Sequence, residues 1–377
     1  MPRALVKTAM RRYAGLRHLK PGARAAYYAS ANGPAARLPR TPRTVPTEAR
    51  MTHPADTLSL VADIGGTNTR VALADGRAIL PGTVRRYANS DHPGLETVLR
   101  RFIEEEENVD TCAACVAVAG PVHDGRASMT NLDWSIDTAT IARATRAETV
   151  SVLNDLQAQG HALGHLPAEA VTTVMTRTSD DRPYPGAPRL VVGVGTGFNA
   201  APVHETGAAR LVPPSECGHA NLPIRNEQEL RLCRYVSTAH GFPAVEDVLS
   251  GRGLERVYAF LGEEAGAPAA KSARQIMEAC AAGTDARATE AARVFARMLG
   301  TVCGNLALIQ LPFGGIYLVG GVARAFAPLL GDLGFDEAFR DKGRFAGFMG
   351  NFSVHVVQDD YAALTGCAAH LVGLDAA

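Results

Sequence analysis

Residues 58–75 read LSLVADIGGTNTRVALAD. Two apolar runs, LSLVADIG and TRVALAD, flank a Gly-Gly-Thr-Asn turn, and this pattern predicts a β-hairpin. The first run ends in a carboxylate, Asp63. Gly65 and Gly66 then let backbone amides approach an anion, while Thr67 and Asn68 add a hydroxyl and an amide. Taken alone, ADIGGTNTR is also an ordinary hairpin turn in which Asp63 and Asn68 cap local amides.

The same arrangement recurs downstream. LVVGVGTGF is an apolar strand running into a glycine turn at Gly195, Thr196 and Gly197, and GGIYLVGGVA ends a strand at Gly320 and Gly321. Each turn is compatible with plain packing. Three in one chain suggest a nucleotide whose phosphates are held between lobes. No GxxxxGK[ST] is present, position 198 is Phe where GxGxxG needs Gly, and the protein-kinase signature set is absent. Between the turns, strand-like and helix-like blocks alternate. GLETVLRRFIEEEE has helical spacing, ACVAVAGPV reads as a buried strand, and TVSVLND is a strand followed by a helix from Leu156. The stretch from Gln275 to Ile309 is helical with a break near Ala282–Gly283. This alternation predicts an α/β architecture with largely buried sheets.

Transfer of a phosphoryl group to an alcohol needs a carboxylate near the attacking oxygen. Asp155 in VSVLNDLQAQ sits where a strand meets a helix, a position that projects into a cleft. Asn154-Asp155 is equally a helix N-cap, and the two roles are compatible because a helix N-terminus favours an anion. Gripping sugar hydroxyls takes carboxylates and amides. Candidates are Glu216 and His219 in SECGHANLP, Glu246 at a helix start before a Ser-Gly turn, and Asn131 in MTNLDW. Singly, each has a bland reading as a surface acid, loop histidine, first-turn acid or turn former. His161 and His165 lie one helical turn apart, but no third metal ligand is evident.

The chain has 377 residues, enough for two domains, and 46 % are apolar. Its zero formal charge hides an asymmetry. Residues 1–50 hold eleven Lys and Arg and one acid, leaving 27 basic and 37 acidic residues, a net of −10, from Met51 onward. An acidic body argues against nucleic acid or an anionic membrane as partner. Segment 1–56 reads as a basic, disordered extension: a transit peptide, an anion-binding tail, or sequence upstream of a start at Met51. Seven scattered cysteines do not form a disulfide framework, and Cys112 and Cys115 read as buried strand thiols in a reducing compartment. No apolar run of about 18 residues suggests a membrane span.

The ordered set LVADIGGTNTRVAL, MTNLDW, LNDLQA, GVGTGF, SECGHANLP, VEDVLSGRGL, GGIYLVGGV, DKGRF and TGCAAHL resembles the bacterial glucokinase family, within the hexokinase and actin-like ATPase superfamily. The resemblance runs from Leu58 to about Leu371. It implies two actin-like (ribonuclease H-like) α/β lobes with a central cleft: 57–165 plus 357–377, and 166–356. It also implies ATP-dependent phosphorylation of glucose at the 6-hydroxyl by a cytoplasmic homodimer. Asp155 is then the general base and itself a sugar contact, together with Asn131, Asn154, Glu216, His219 and Glu246. Gly65–Thr67 and Gly195–Gly197 hold phosphates, Gly320–Gly321 lie near adenosine, and Mg2+ bridges the phosphates with Asp63 a partner through water. Two positions depart from the family pattern: Asn199 where glycine is usual, and Cys217 where the sugar loop usually has glycine. Asn199 would crowd a phosphate or turn outward. Cys217 would be strained if its φ were positive. The zinc-binding cysteines of the related repressor–kinase family are absent. A kinase for mannose, fructose or an amino sugar, and a non-catalytic actin-like sugar sensor, remain the alternatives.

Overall fold

The computed structural model describes residues 58–129, 132–180, 183–207 and 209–375. Segment 1–56 and Asn131 lie outside the described residues. The predicted hairpin is present: β1 (Leu58–Ile64) pairs antiparallel with β2 (Asn68–Asp75), placing Asp63 opposite Arg70. β3 (Ala78–Ile79) and β4 (Arg85–Ala88) both pair with β2. α1 (Leu95–Glu105) buries Leu95, Val98, Leu99 and Phe102, the stripe expected of a helix with one apolar face. β5 (Ala113–Val118) is wholly buried and parallel to β1. Cys115 lies within it, but Cys112 precedes it and is exposed, which corrects the reading of both as buried thiols.

β6 (Val122–His123), β7 (Arg126–Met129) and β8 (Leu132–Asp137) make a small three-stranded sheet. α2 (Thr138–Thr145) follows, capped by Asp137. β9 (Thr149–Asn154) runs parallel to β5 and leads directly into α3 (Asp155–Ala162). The main sheet of this lobe has the order β3-β2-β1-β5-β9.

The second lobe starts with β10 (Val171–Met175), β11 (Arg189–Val194), β12 (Phe198–Thr206) and β13 (Ala209–Leu211). Helices α4 (Glu227–His240), α5 (Gly251–Glu264), α6 (Ala273–Ala282) and α7 (Ala286–Gln310) come next. α6 ends at Gly283, whose φ of 64° only glycine adopts readily, so the helical stretch breaks where the sequence predicts. α7 is long and apolar enough to cross a membrane, yet Phe295, Met298, Leu299 and Cys303 are buried in the core of this lobe. β14 (Ile316–Val319), α8 (Gly321–Phe326), α9 (Phe335–Arg340) and β15 (Val354–Val357) complete it. Its sheet has the order β10-β15-β14-β11-β12-β13, with β11, β14 and β15 parallel.

α10 (Ala362–Asp375) returns to the first lobe. Val61, Cys115, Ala158, Leu364 and Cys367 share one apolar cluster there. α3 bridges the lobes. Its Leu156, Ala162 and following Leu163 pack with Val191 and Val203 of the second sheet, and Gln157 Nε2 donates to the Val212 carbonyl at 2.8 Å.

Candidate active site

Parallel strands deliver their C-terminal ends to one edge of a sheet, where loops are free to hold ligands. In the first lobe that edge carries Asp63 at the end of β1 and Asn154-Asp155 at the end of β9. The register Asp63↔Ala117↔Leu153 sets them at nearly the same level, two strands apart. Asn154 is the cap: its Oδ1 accepts from Leu156 N at 3.0 Å, its Nδ2 donates to Gly120 O at 2.9 Å, and Gln157 closes the capping box. Asp155 is therefore the first helical residue, and its Oδ1 accepts from Leu156 N at 2.9 Å.

Burial, followed by the neighbouring Asp63 charge, pushes the Asp155 carboxyl up to about 6, against the pull of the helix-start amide. Burial also raises Asp63, although Arg70 opposes it with a 3.1 Å ion pair to Asp63 Oδ2. Two part-buried carboxyls in one corner, one poised near neutrality, suit proton-transfer chemistry.

The turn after β1 is built more firmly than the sequence suggests. Asn89, almost fully buried, donates from Nδ2 to Gly65 O at 2.8 Å and from its backbone to Thr67 O at 2.9 Å, while Thr69 Oγ1 donates to Asn89 Oδ1. Asn68 pairs with Thr67 Oγ1 and Arg86. Gly65 does not take a positive φ, and a Cβ there would make only ordinary contact. Its own amide closes the turn by donating to Asn68 O at 3.0 Å, so the missing side chain leaves room beside the loop but no open donor at position 65.

In the second lobe the two remaining glycine turns meet. Gly320 has φ 104°, and a Cβ there would stand 2.6 Å from Val194 O, just before Gly195. No other residue fits so close to a neighbouring backbone. The Gly195 carbonyl accepts from Gly251 N at 2.9 Å, so the start of α5 rests on the same turn. Ser250 caps α5 by accepting from Gly253 N at 3.0 Å. The sequence reading of Glu246 as a helix-start residue before a Ser-Gly turn is corrected here. Glu246 lies in a separate 3-10 turn, Val245–Asp247, and Ser250-Gly251 begins the helix.

Glu246 Oε2 accepts from Phe198 N at 2.9 Å, tight against Gly197. The segment with Glu216 and His219 is stitched to it through Val245 N→Ala220 O at 2.9 Å and an Asn221–Ala244 bridge. Glu216 and His219 are exposed, around a 3-10 turn at Cys217–His219. Cys217 does not take a positive φ, so the strain conditional on that geometry is absent. Asn199 turns neither outward nor onto the glycine turn; its amide is bonded into the 215–217 loop. Leu156 packs in one cluster with Val191 and Val319, which brings Asp155 to the side of the sheet that carries the paired glycine turns.

Sequence reasoning missed Arg70, Asn89 and the Ser250 cap. Arg70 was recoverable from hairpin register; Asn89 was not, because a lone asparagine twenty residues away carries no signal. His161 meets His370 with ring centroids 4.7 Å apart, but no group of three metal-capable side chains occurs among the described residues.

A family model described as glucokinase matches residues 60–373. The glucokinase of Chromobacterium violaceum is 34 % identical over 83 % of this chain and 88 % of its own length, and that of Pectobacterium atrosepticum is 31 % identical over 85 % and 98 %. Among solved structures, glucokinase from an Antarctic psychrotroph aligns with a TM-score of 0.74 at 28 % identity, over 83 % of this chain and 98 % of that one. Glucokinase of Balamuthia mandrillaris in complex with glucose, at 20 % identity and a TM-score of 0.70 over 84 % and 94 %, shares the fold. The two lobes are thus of the actin-like ATPase kind, and the chain belongs to the glucokinase family.

Proposed function

We propose that this chain carries out the glucokinase reaction, ATP-dependent phosphorylation of glucose, with Asp155 as general base on the 6-hydroxyl. The observation that carries this assignment is the Asp155 carboxyl, held at a helix start and raised to about 6. A base with that value is largely ionised at neutral pH, yet close enough to it to accept a proton as the O–P bond forms. Asn154, Glu216, His219 and Glu246 are read as the sugar contacts, joined by Asn131. The turns Gly65, Gly66, Thr67 and Asn68, and Gly195, Thr196 and Gly197, are read as the phosphate cradle, the amides of Gly65 and Gly195 closing them on Asn68 O and Gly197 O, with Gly320 and Gly321 beside the adenosine.

Magnesium fits this corner. It prefers phosphate oxygens and waters with one or two carboxylates, and Asp63 commits only Oδ2 to Arg70. Bound on the nucleotide, the ion would neutralise charge on the transferring phosphoryl group. Asp63 would hold one of its waters, and Arg70 would keep that carboxylate oriented. Lobe closure on the sugar would exclude water. The reading carries with it a cytoplasmic location and homodimeric assembly.

The test is ADP release with magnesium-ATP across a hexose panel. Turnover with glucose well above mannose, fructose and N-acetylglucosamine is the expected result. No turnover from folded protein that still binds a sugar would favour a sensor. Gly320→Ala is expected to raise KM for ATP and to cost about 1–3 kcal/mol of stability, because it forces a Cβ into the left-handed region against Val194 O. Unchanged ATP kinetics and an unchanged denaturation midpoint would remove Gly320 from the nucleotide side.

A further inference from the structure

Three pieces of the site converge on the dipeptide Phe198-Asn199. The Phe198 amide, which ends the Gly195–Gly197 turn, donates to Glu246 Oε2 at 2.9 Å. The Phe198 carbonyl lies so close to Gly218 that a Cβ at 218 would overlap it. The Asn199 side chain then holds the segment carrying Glu216. Its Nδ2 donates to Ser215 O, and its Oδ1 accepts from Cys217 N at 3.2 Å, from its neighbour Ala200 N at 2.8 Å, and from the Cys217 thiol at 3.5 Å. Burial pushes the Cys217 thiol up, which keeps it protonated and able to donate.

Only one amide orientation satisfies this set. Flipping Asn199 would point its NH2 at two backbone N–H groups and its oxygen at a carbonyl. Glu216 lies between the two backbone groups that the amide grips, Ser215 O and Cys217 N. Its own carboxylate is exposed. The direction in which Glu216 leaves the backbone is therefore set by a side chain on the strand that follows the phosphate turn.

We propose that Asn199 is a positioning residue for sugar recognition: its amide fixes the Ser215–His219 loop to the end of the Gly195–Gly197 turn, so that sugar contacts and phosphate cradle keep one geometry. This rests on the reading of Glu216 and His219 as sugar contacts. Glu246 and the Gly195 N→Gly197 O bond of 3.0 Å hold the glycine turn without help from the Asn199 side chain, so the two functions can be separated by mutation.

Asn199→Ala removes the side-chain bonds of Asn199 to the loop, and Asn199→Asp keeps the shape and the acceptances from the Ala200 and Cys217 amides but loses the donor to Ser215 O. Losing the two amide bonds to the loop, to Ser215 O and from Cys217 N, with the weak thiol bond adding little, corresponds to about a tenfold rise in KM for glucose with Asn199→Ala. KM for ATP and kcat should stay within about twofold, with Asn199→Asp intermediate in glucose KM. Parallel rises in both KM values, or unchanged glucose kinetics in both variants, would overturn the proposal. Glu216→Gln and His219→Ala are measured alongside. If they leave glucose KM untouched, the sugar-contact reading has failed; if they raise it and the Asn199 variants do not, the positioning role alone has failed. A thermal melt of Asn199→Asp near that of the parent guards against general unfolding.

Discussion

Asp155→Asn should lower kcat by about a hundred- to ten-thousand-fold while sparing glucose binding, the usual effect of deleting a general base. The same variant should be more stable than the parent at high pH. Asp155 has its carboxyl raised from the ordinary 3.8 to about 6 in the folded protein, chiefly by burial and then by Asp63. The folded state therefore binds a proton more tightly than the unfolded chain does. Its contribution to stability is fully present below about pH 4 and is lost as pH rises through about 6, leaving an ionised, poorly solvated carboxylate. The cost at pH 8 is on the order of 3 kcal/mol, taking 1.36 kcal/mol per unit. Asparagine keeps the acceptor for Leu156 N and removes the charge. Denaturant unfolding at pH 8 and pH 4 checks this: the gain should be present at the first and absent at the second. The parent's kcat/KM should fall on the acid side with an apparent value near 6. A variant that keeps its turnover, or an acid limb near 4, would take Asp155 out of the proton-transfer role.

Most of the elements that position this site were legible because they depend on local order. The β1–β2 hairpin, the glycine turns after β1, β11 and β14, and the strand-to-helix junction at Asn154-Asp155 are each encoded in one continuous stretch, the longest of them Leu58–Asp75. Hairpin register even fixes the Asp63–Arg70 pair. What escaped depends on side chains meeting across the fold. Asn89 reaches back twenty-four residues to Gly65, and Asn199 grips a loop sixteen to eighteen residues on. Neither has a periodicity or spacing to betray it. The β6–β8 sheet was missed because its strands are two to six residues long, and few of their side chains are buried; Trp134 and Ile136 are the exceptions. Glu246 was placed on the wrong element because Val245–Asp247 forms a single 3-10 turn whose acidic residues mimic the first turn of α5. The two departures from the family pattern, Asn199 and Cys217, looked like separate liabilities in the sequence. In the fold they are hydrogen-bonded to each other.

Gly366→Ala should damage both stability and catalysis, although it lies outside the site. Gly366 lets α10 lie directly against the backbone of α3, and a Cβ there would overlap the Ala158 carbonyl oxygen and stand 2.6 Å from its carbon. Both helices are backed by packed sheet: Ala158, Leu364 and Cys367 share a cluster with Val61 and Cys115. The extra methyl cannot be absorbed by rotating a side chain, because what it meets is backbone. The helices must separate, at a cost of about 1–3 kcal/mol for an overpacked contact. α3 is only eight residues long, about 12 Å, with Asp155 at its first position. A shift at Ala158 is therefore delivered to Asp155 almost undiminished, and misplacing a catalytic group by about 1 Å can cost about a hundredfold in rate. Gly373→Ala, on the same helix, is the control. Nothing lies within 4 Å of its Cβ, so helix propensity alone should act and raise stability by up to about 1 kcal/mol. Denaturation midpoints and kcat of the two variants should thus move in opposite directions or not at all for Gly373→Ala. If Gly366→Ala behaves like its control, the α3–α10 contact does not hold the catalytic carboxylate in place.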